Sequence, residues 1–307
     1  MVNPDDESAE APQRLTLDLP HLRFEALAWG PADGRLMLCL HGYPDTAWTW
    51  RQLGPHFAAR GFRVVAPFTR GYAPTELARE GDYSAGALMY DAIALHEALD
   101  GGDDAVVVGH DWGAFTANGL AAYPGCPFPK LVSMGVPMVA GLGRRTPSVR
   151  ELIRVMPRQL RMSWYVVFQQ LPWISERSFD SVLLKLWRDW CPPGYDATAD
   201  LARVRESLPD RRHRTAALSY YRASVLPFGR DARYRELNRY APYDVPLVPM
   251  LVVHGRIDGA IDVRLGTLSA QVLPKGSQHE IIDGAGHFMH LDQPDAVYRL
   301  IEGYVAN

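Results

Sequence analysis

The segment Gly109-His110-Asp111-Trp112-Gly113-Ala114 carries the strongest chemical signal in the chain. It follows the apolar run Ala105-Val106-Val107-Val108, which reads as a buried strand, and precedes Phe115 to Tyr123, a helical stretch rich in Ala and Leu. A strand that turns sharply into a helix crowds the Cβ atoms beside the turn. Glycine two residues before and two residues after Asp111 removes that crowding. A serine at such a turn needs a base before it can attack. An aspartate, with an ordinary pKa of about 3.9, is ionised near neutrality and attacks unaided. On an acyl carbon it would form an anhydride, with little gain. On an sp3 carbon bearing a leaving group it forms an alkyl ester, which water can cleave at the carbonyl. Strained epoxides and carbon–halogen bonds are the electrophiles that suit. The plain alternative is an aspartate that only caps a helix; the paired glycines and the strand before them weigh against it.

Cleaving such an ester requires a base for water. Asp283-Gly284-Ala285-Gly286-His287-Phe288 places His287 in a glycine-rich loop after a short strand, and this context favours it over His290. Val252-Val253-His254-Gly255-Arg256-Ile257-Asp258-Gly259 ends another strand in a turn carrying Asp258. Asp258 is the acid expected to fix the tautomer of His287 and stabilise its cation. Asp262 is the competitor, in a position better suited to capping the next helix. The chain order nucleophile, acid, histidine is one that such triads use. Near the N-terminus, His41-Gly42-Tyr43-Pro44 follows an apolar strand. A loop there can donate the Tyr43 backbone N–H to an oxyanion hole, paired with the N–H of Trp112.

These residues need a scaffold. Arg14–Leu19 and Arg23–Trp29 read as opening strands, followed by strands at Arg35–Leu40 and Arg63–Ala66. Tyr83–Leu99 has helical spacing and stops at Gly101-Gly102. The strand at Val106 and its helix follow, then a strand at Leu131–Met134. Alternating strands and helices indicate an α/β fold with a mostly parallel sheet. From Met138 to Ala241 the chain is rich in Arg, Trp and Tyr, with helical stretches and no convincing strand. Strands resume at Pro246–Val253 and Glu280–Ile282, and Ala296–Tyr304 forms a closing helix. The expected organisation is a tail over 1–12, a core over 13–137 and 242–307, and a helical insert over 138–241, after the sixth strand.

Composition narrows the partners. The chain has 307 residues, 47% of them hydrophobic, and a formal net charge of -3. Mixed charge argues against nucleic acid or an anionic membrane as a main partner. No apolar run approaches the ~20 residues that cross a bilayer. The acidic start lacks signal-peptide character, so residues 1–12 are expected to be disordered and the protein cytoplasmic. Cys39, Cys126 and Cys191 offer neither a disulfide framework nor metal spacing. No metal, nucleotide or organic cofactor is expected. A homodimer stays open.

Taken together, the motifs resemble the epoxide hydrolase branch of the α/β-hydrolases. The matching segments are His41-Gly42-Tyr43-Pro44-Asp45, Arg70-Gly71-Tyr72-Ala73-Pro74-Thr75, Gly109 to Gly113, His254-Gly255 through Asp258-Gly259, and Gly286-His287-Phe288. The resemblance runs from Arg23 to Tyr304 and implies that the insert is a cap over the site. It also implies two cap tyrosines whose hydroxyls hold the epoxide oxygen. Tyr221, in Tyr220-Tyr221-Arg222, matches one. The other is Tyr165 if the register is counted back from Pro172, and Trp164 if it is anchored on Phe168-Gln169. Packing of cap aromatics on one another is the plain alternative. His41, Trp164 and Phe168 are expected to touch substrate, and Met162, Trp173, Trp187 and Trp190 suggest an aromatic lining. The implied partners are a small apolar epoxide and water. A hydrolytic dehalogenase remains an alternative, although Tyr43 stands where haloalkane dehalogenases usually carry Asn. So does a binding protein of the same fold without turnover.

Overall fold

The computed structural model describes residues 11–138, 149–225, 230–240 and 244–306. The expected tail over 1–12 lies mostly outside the described residues. Eight strands form one sheet: β1 (Gln13–Asp18), β2 (Arg23–Trp29), β3 (Arg35–Leu40), β4 (Phe62–Pro67), β5 (Val106–His110), β6 (Lys130–Met134), β7 (Met250–Gly255) and β8 (Gln278–Ile282). Their order is β1-β2-β4-β3-β5-β6-β7-β8. The β1–β2 and β2–β4 pairs are antiparallel, and every later pair is parallel. The final two strands differ slightly from the sequence reading. β7 starts at Met250 because Pro246 and Pro249 have no N–H for a ladder.

Alternate residues of the central strands face opposite layers. Met37, Cys39, Val106, Val108, Val132, Met134, Leu251 and Val253 belong to one apolar cluster. Leu36, Leu38, Leu40, Val107, Leu131, Met250 and Val252 belong to the other. Both faces are covered, so these strands are apolar throughout rather than alternating with polar residues. The first face is covered by α1 (Leu53–Ala58), a helix the sequence reading did not include, and by the closing helix Pro294–Val305. The second is covered by α2 (Ala85–Ala98) and α3 (Trp112–Ala122).

Between β6 and β7 the described chain is helical: α4 (Val149–Met162), α5 (Trp164–Phe168), α6 (Ile174–Arg177), α7 (Phe179–Trp190), α8 (Thr198–Ser207) and α9 (Arg211–Val225). The 3₁₀ turns Ala232–Tyr234 and Leu237–Arg239 fall within the expected insert but pack on the core. Asn238 accepts from the Gly86 amide at 3.1 Å and donates to Ser84 Oγ at 3.0 Å, at the start of α2. Leu237 joins the apolar cluster beneath that helix. Among the described residues no helix is long and apolar enough to cross a membrane.

Candidate active site

Asp111 sits at the junction of β5 and α3 with φ 52° and ψ −114°. L-residues rarely adopt positive φ, and holding one there costs about 1–3 kcal/mol. Two glycines permit the turn. A Cβ on Gly109 would lie 2.1 Å from the Gly113 carbonyl oxygen, and one on Gly113 would lie 2.0 Å from that of Leu40. The turn is pinned by the Asp111 amide donating to the Met134 carbonyl at 3.2 Å.

The loop after β3 closes on the carboxylate. The Tyr43 backbone N–H donates to Asp111 Oδ1 at 2.7 Å. Gly42 makes this approach feasible, because a Cβ there would lie 2.3 Å from Asp111 Oδ1 and 2.5 Å from the Trp112 nitrogen. The Trp112 amide heads α3 directly after the carboxylate-bearing residue. The Tyr43 amide therefore meets one side of the Asp111 carboxyl, and the Trp112 amide lies close to the same loop at Gly42.

His287 meets the other side. Its Nε2 lies 3.5 Å from Asp111 Oδ2, and its Nδ1 lies 2.9 Å from Asp258 Oδ2. Asp258 Oδ1 accepts the amides of Ala260 and Ile261 at 2.7 and 2.9 Å, which fixes the carboxylate plane. Burial alone would push the His287 pKa down; the carboxylates of Asp258 and Asp111 outweigh it and raise it to about 10. Burial alone would raise Asp258, but the charge and hydrogen bond of His287 hold it below the usual carboxylate range. The competitors are otherwise engaged. Asp262 accepts the Arg264 amide at 3.1 Å and caps the helix Val263–Ser269. The His290 ring stacks on Trp50 at 4.9 Å.

A cavity of about 300 Å³ opens above Asp111, lined by Trp112, Phe115, Tyr165, Val166, Tyr221 and Ile261 among others. Tyr165 and Tyr221 meet edge to face, ring centres 5.7 Å apart. Burial pushes both phenols well above their usual pKa, and the charge of Asp111 pushes them further, so both keep their protons. The Tyr221 hydroxyl lies near the Trp112 and Tyr165 side chains but has no partner at hydrogen-bond geometry. Its neighbour differs: Tyr220 donates to the Arg70 carbonyl at 2.7 Å. Consecutive helical residues point about 100° apart, so one tyrosine enters the core and the next enters the cavity.

Three expected substrate contacts fall elsewhere. Trp164 packs on Phe168 at 5.9 Å and under Lys185 at 5.6 Å, and neither Trp164 nor Phe168 lines the cavity. The residue of α5 that turns inward is Tyr165. His41 is fully buried; its Nε2 accepts the Thr69 amide at 3.1 Å and its Nδ1 faces the Gly42 carbonyl at 3.0 Å, so it braces the loop from below. Of the other aromatics, Trp173 is exposed. Trp187 stacks on Phe288 at 4.0 Å and donates to the Pro44 carbonyl at 2.9 Å. Trp190 accepts the His287 amide at 2.8 Å through its carbonyl. These two tryptophans fasten the insert to the catalytic loops rather than line the cavity above Asp111.

A family model for the alpha/beta hydrolase fold matches residues 35–294. The chain belongs to the α/β-hydrolases. It is 29% identical over 292 residues to the AB hydrolase superfamily protein YfhM of Bacillus subtilis, covering 93% of this chain and 95% of the relative. It is 28% identical over 298 residues to epoxide hydrolase 1 of Caenorhabditis elegans, covering 94% and 69%. Among solved structures, epoxide hydrolase VrEH1 from Vigna radiata superposes with a TM-score of 0.76 at 22% identity, covering 97% of this chain and 99% of that one. Several of its relatives at 28–29% identity are named epoxide hydrolases.

One α/β-hydrolase site residue carried no motif. Gln159 of α4 lines the cavity, donates to Ser163 Oγ at 2.8 Å and the Ala260 carbonyl at 3.1 Å, and accepts the Asp262 amide at 2.8 Å. It ties the insert to the loop that bears Asp258. Its only signal is that it lies four residues after buried Val155, on the inward face of α4.

Proposed function

We propose that the protein hydrolyses an apolar epoxide to a vicinal diol through a covalent ester on Asp111. The observation that carries this reading is the convergence on one carboxyl group: Asp111 Oδ1 at the Tyr43 amide, Oδ2 beside His287 Nε2, and two protonated tyrosines in the cavity above.

Asp111 attacks an epoxide carbon opposite the C–O bond that breaks. Tyr165 and Tyr221 donate to the departing oxygen, and one gives up its proton, so the charge never stands as a free alkoxide. Ester formation removes the Asp111 negative charge that helps hold the proton on His287. The His287 pKa falls at that moment, so its proton passes back to the deprotonated tyrosine and the ring, now neutral, can take a proton from water. Asp258 then stabilises the cation formed. Water adds to the ester carbonyl, whose developing oxyanion is met by the amides of Tyr43 and Trp112. The diol leaves and Asp111 is regenerated.

Single turnover in heavy-oxygen water tests this. The label should enter the peptide containing Asp111, because water attacks the enzyme's own carbonyl. His287→Gln should accumulate an adduct whose mass gain equals that of the epoxide. Label found wholly in the diol overturns the ester.

A further inference from the structure

Three buried side chains outside this chemistry converge behind the catalytic loops. Asp45 lies two residues after Tyr43, His110 directly precedes Asp111, and His290 follows His287 by three. All three are buried, and their ligand atoms lie within 4.8 Å of one another. Each is fixed on its far side. Asp45 Oδ1 accepts the Thr46 amide at 2.7 Å. His110 Nε2 donates to the backbone carbonyl of His287 at 3.0 Å. His290 Nε2 meets the Thr49 hydroxyl at 2.5 Å. The atoms that remain, Asp45 Oδ2, His110 Nδ1 and His290 Nδ1, are buried and hydrogen-bond to no protein atom.

A donor count identifies what fits them. A carbonyl can only accept, so the His110 proton is on Nε2 and its Nδ1 presents a lone pair. Burial pushes the His110 pKa down to about 3, so no second proton goes there. Asp45 Oδ2 is a second acceptor. In the tautomer where the Thr49 hydroxyl donates to His290 Nε2, the His290 proton is on Nδ1. Two acceptors and one donor are the complement of a water molecule. Burial raises the Asp45 pKa to about 7. With a proton on Asp45, the water accepts two hydrogen bonds and gives one, and all three groups stay paired. Ligand atoms within 4.8 Å of one another can share one water, since partners ~2.8 Å from a water sit about 4.6 Å apart at the tetrahedral angle. Buried waters typically make about three hydrogen bonds to groups otherwise unpaired.

We propose that Asp45, His110 and His290 bind one buried water, and that this bridge sets the relative positions of the loops carrying Tyr43, Asp111 and His287. They are positioning residues. The link to chemistry is His110, whose ring holds the backbone of His287. The binding claim stands on the site alone, whereas the positioning claim rests on the ester mechanism proposed above.

A high-resolution crystal structure should show one water peak within hydrogen-bond reach of all three atoms, and His290→Phe should lack it. No peak, or a metal with short ligand distances, overturns the binding claim. In single-turnover experiments His290→Phe should slow ester hydrolysis by roughly 10- to 100-fold, the scale of misplacement by about an ångström. His290→Gln, which keeps a donor near the same place, should restore most of the rate. Only folded molecules form the ester, so this rate constant is independent of the fraction folded. Equal rates for the Phe and Gln variants, fast or slow, overturn the positioning role. Failure of the ester mechanism would look different: wild-type protein would form no ester, and the water density would still decide the binding claim.

Discussion

Replacing Tyr221 by Phe removes a single oxygen, and the structure gives that oxygen two separable consequences. In the free protein the hydroxyl is buried and makes no hydrogen bond to a protein atom. A buried unpaired polar group costs about 1–3 kcal/mol, so deleting it should leave stability unchanged or raise it. At roughly 2–4 °C per kcal/mol for a large domain, the melting midpoint should hold or climb by a few degrees. In the transition state the same hydroxyl faces a developing alkoxide. Loss of one such donor costs about 2.7–4 kcal/mol, or 10²- to 10³-fold in rate. Because Tyr165 remains, alkylation of Asp111 should slow by roughly 10- to 1000-fold, and hydrolysis of the finished ester should change far less. Tyr220→Phe is the control. Its hydroxyl is bonded to the Arg70 carbonyl, so its loss should cost about 1–2 kcal/mol of stability and spare alkylation. Stopped-flow Trp fluorescence separates the two chemical steps, and thermal melts report stability. The reasoning is refuted if Tyr221→Phe alkylates at the wild-type rate, or if it destabilises the protein more than Tyr220→Phe does.

Gly42→Ala should abolish most turnover while the far-ultraviolet circular dichroism stays native, since its Cβ would displace the loop that brings the Tyr43 amide to Asp111; an active Ala variant would show that the amide contact is dispensable. The pH dependence of stability carries a sign. His287 has a folded pKa near 10, above its ordinary 6.5, so its contribution is fully present below about 6.5 and is lost as pH rises toward 10. Chemical denaturation should show that decline in wild-type protein and a smaller one in Asp258→Asn; identical slopes would remove the Asp258–His287 coupling from the account.

The legible parts of the site were those whose constraint is local. Gly109 and Gly113 announce the turn because a Cβ at either meets backbone two to three ångströms away. The strands at Val106 and Leu251 announce a sheet covered on both faces because neither face shows polar residues. The α9 residue that enters the cavity was nameable only through family resemblance, since both Tyr220 and Tyr221 are buried and their types are identical. Trp164 and Phe168 misled for a related reason. A short helix exposes several aromatics, and which one turns inward depends on how that helix is rotated against its neighbours.

Sequence by itself determined the elbow, the carboxylate at its tip, the glycine-rich histidine loop and the alternation of strand and helix. Each of these is enforced by sterics or periodicity within a dozen residues. Tertiary structure decided which of two acids meets His287 and which aromatics fasten the insert rather than line the cavity. It also decided that Gln159 joins the insert to the acid loop. And it brought Asp45, His110 and His290 together from three separate segments of the chain. Those choices depend on distances between segments far apart along the chain, set by how the sheet and the helical insert pack, and no local pattern of residue types encodes such distances.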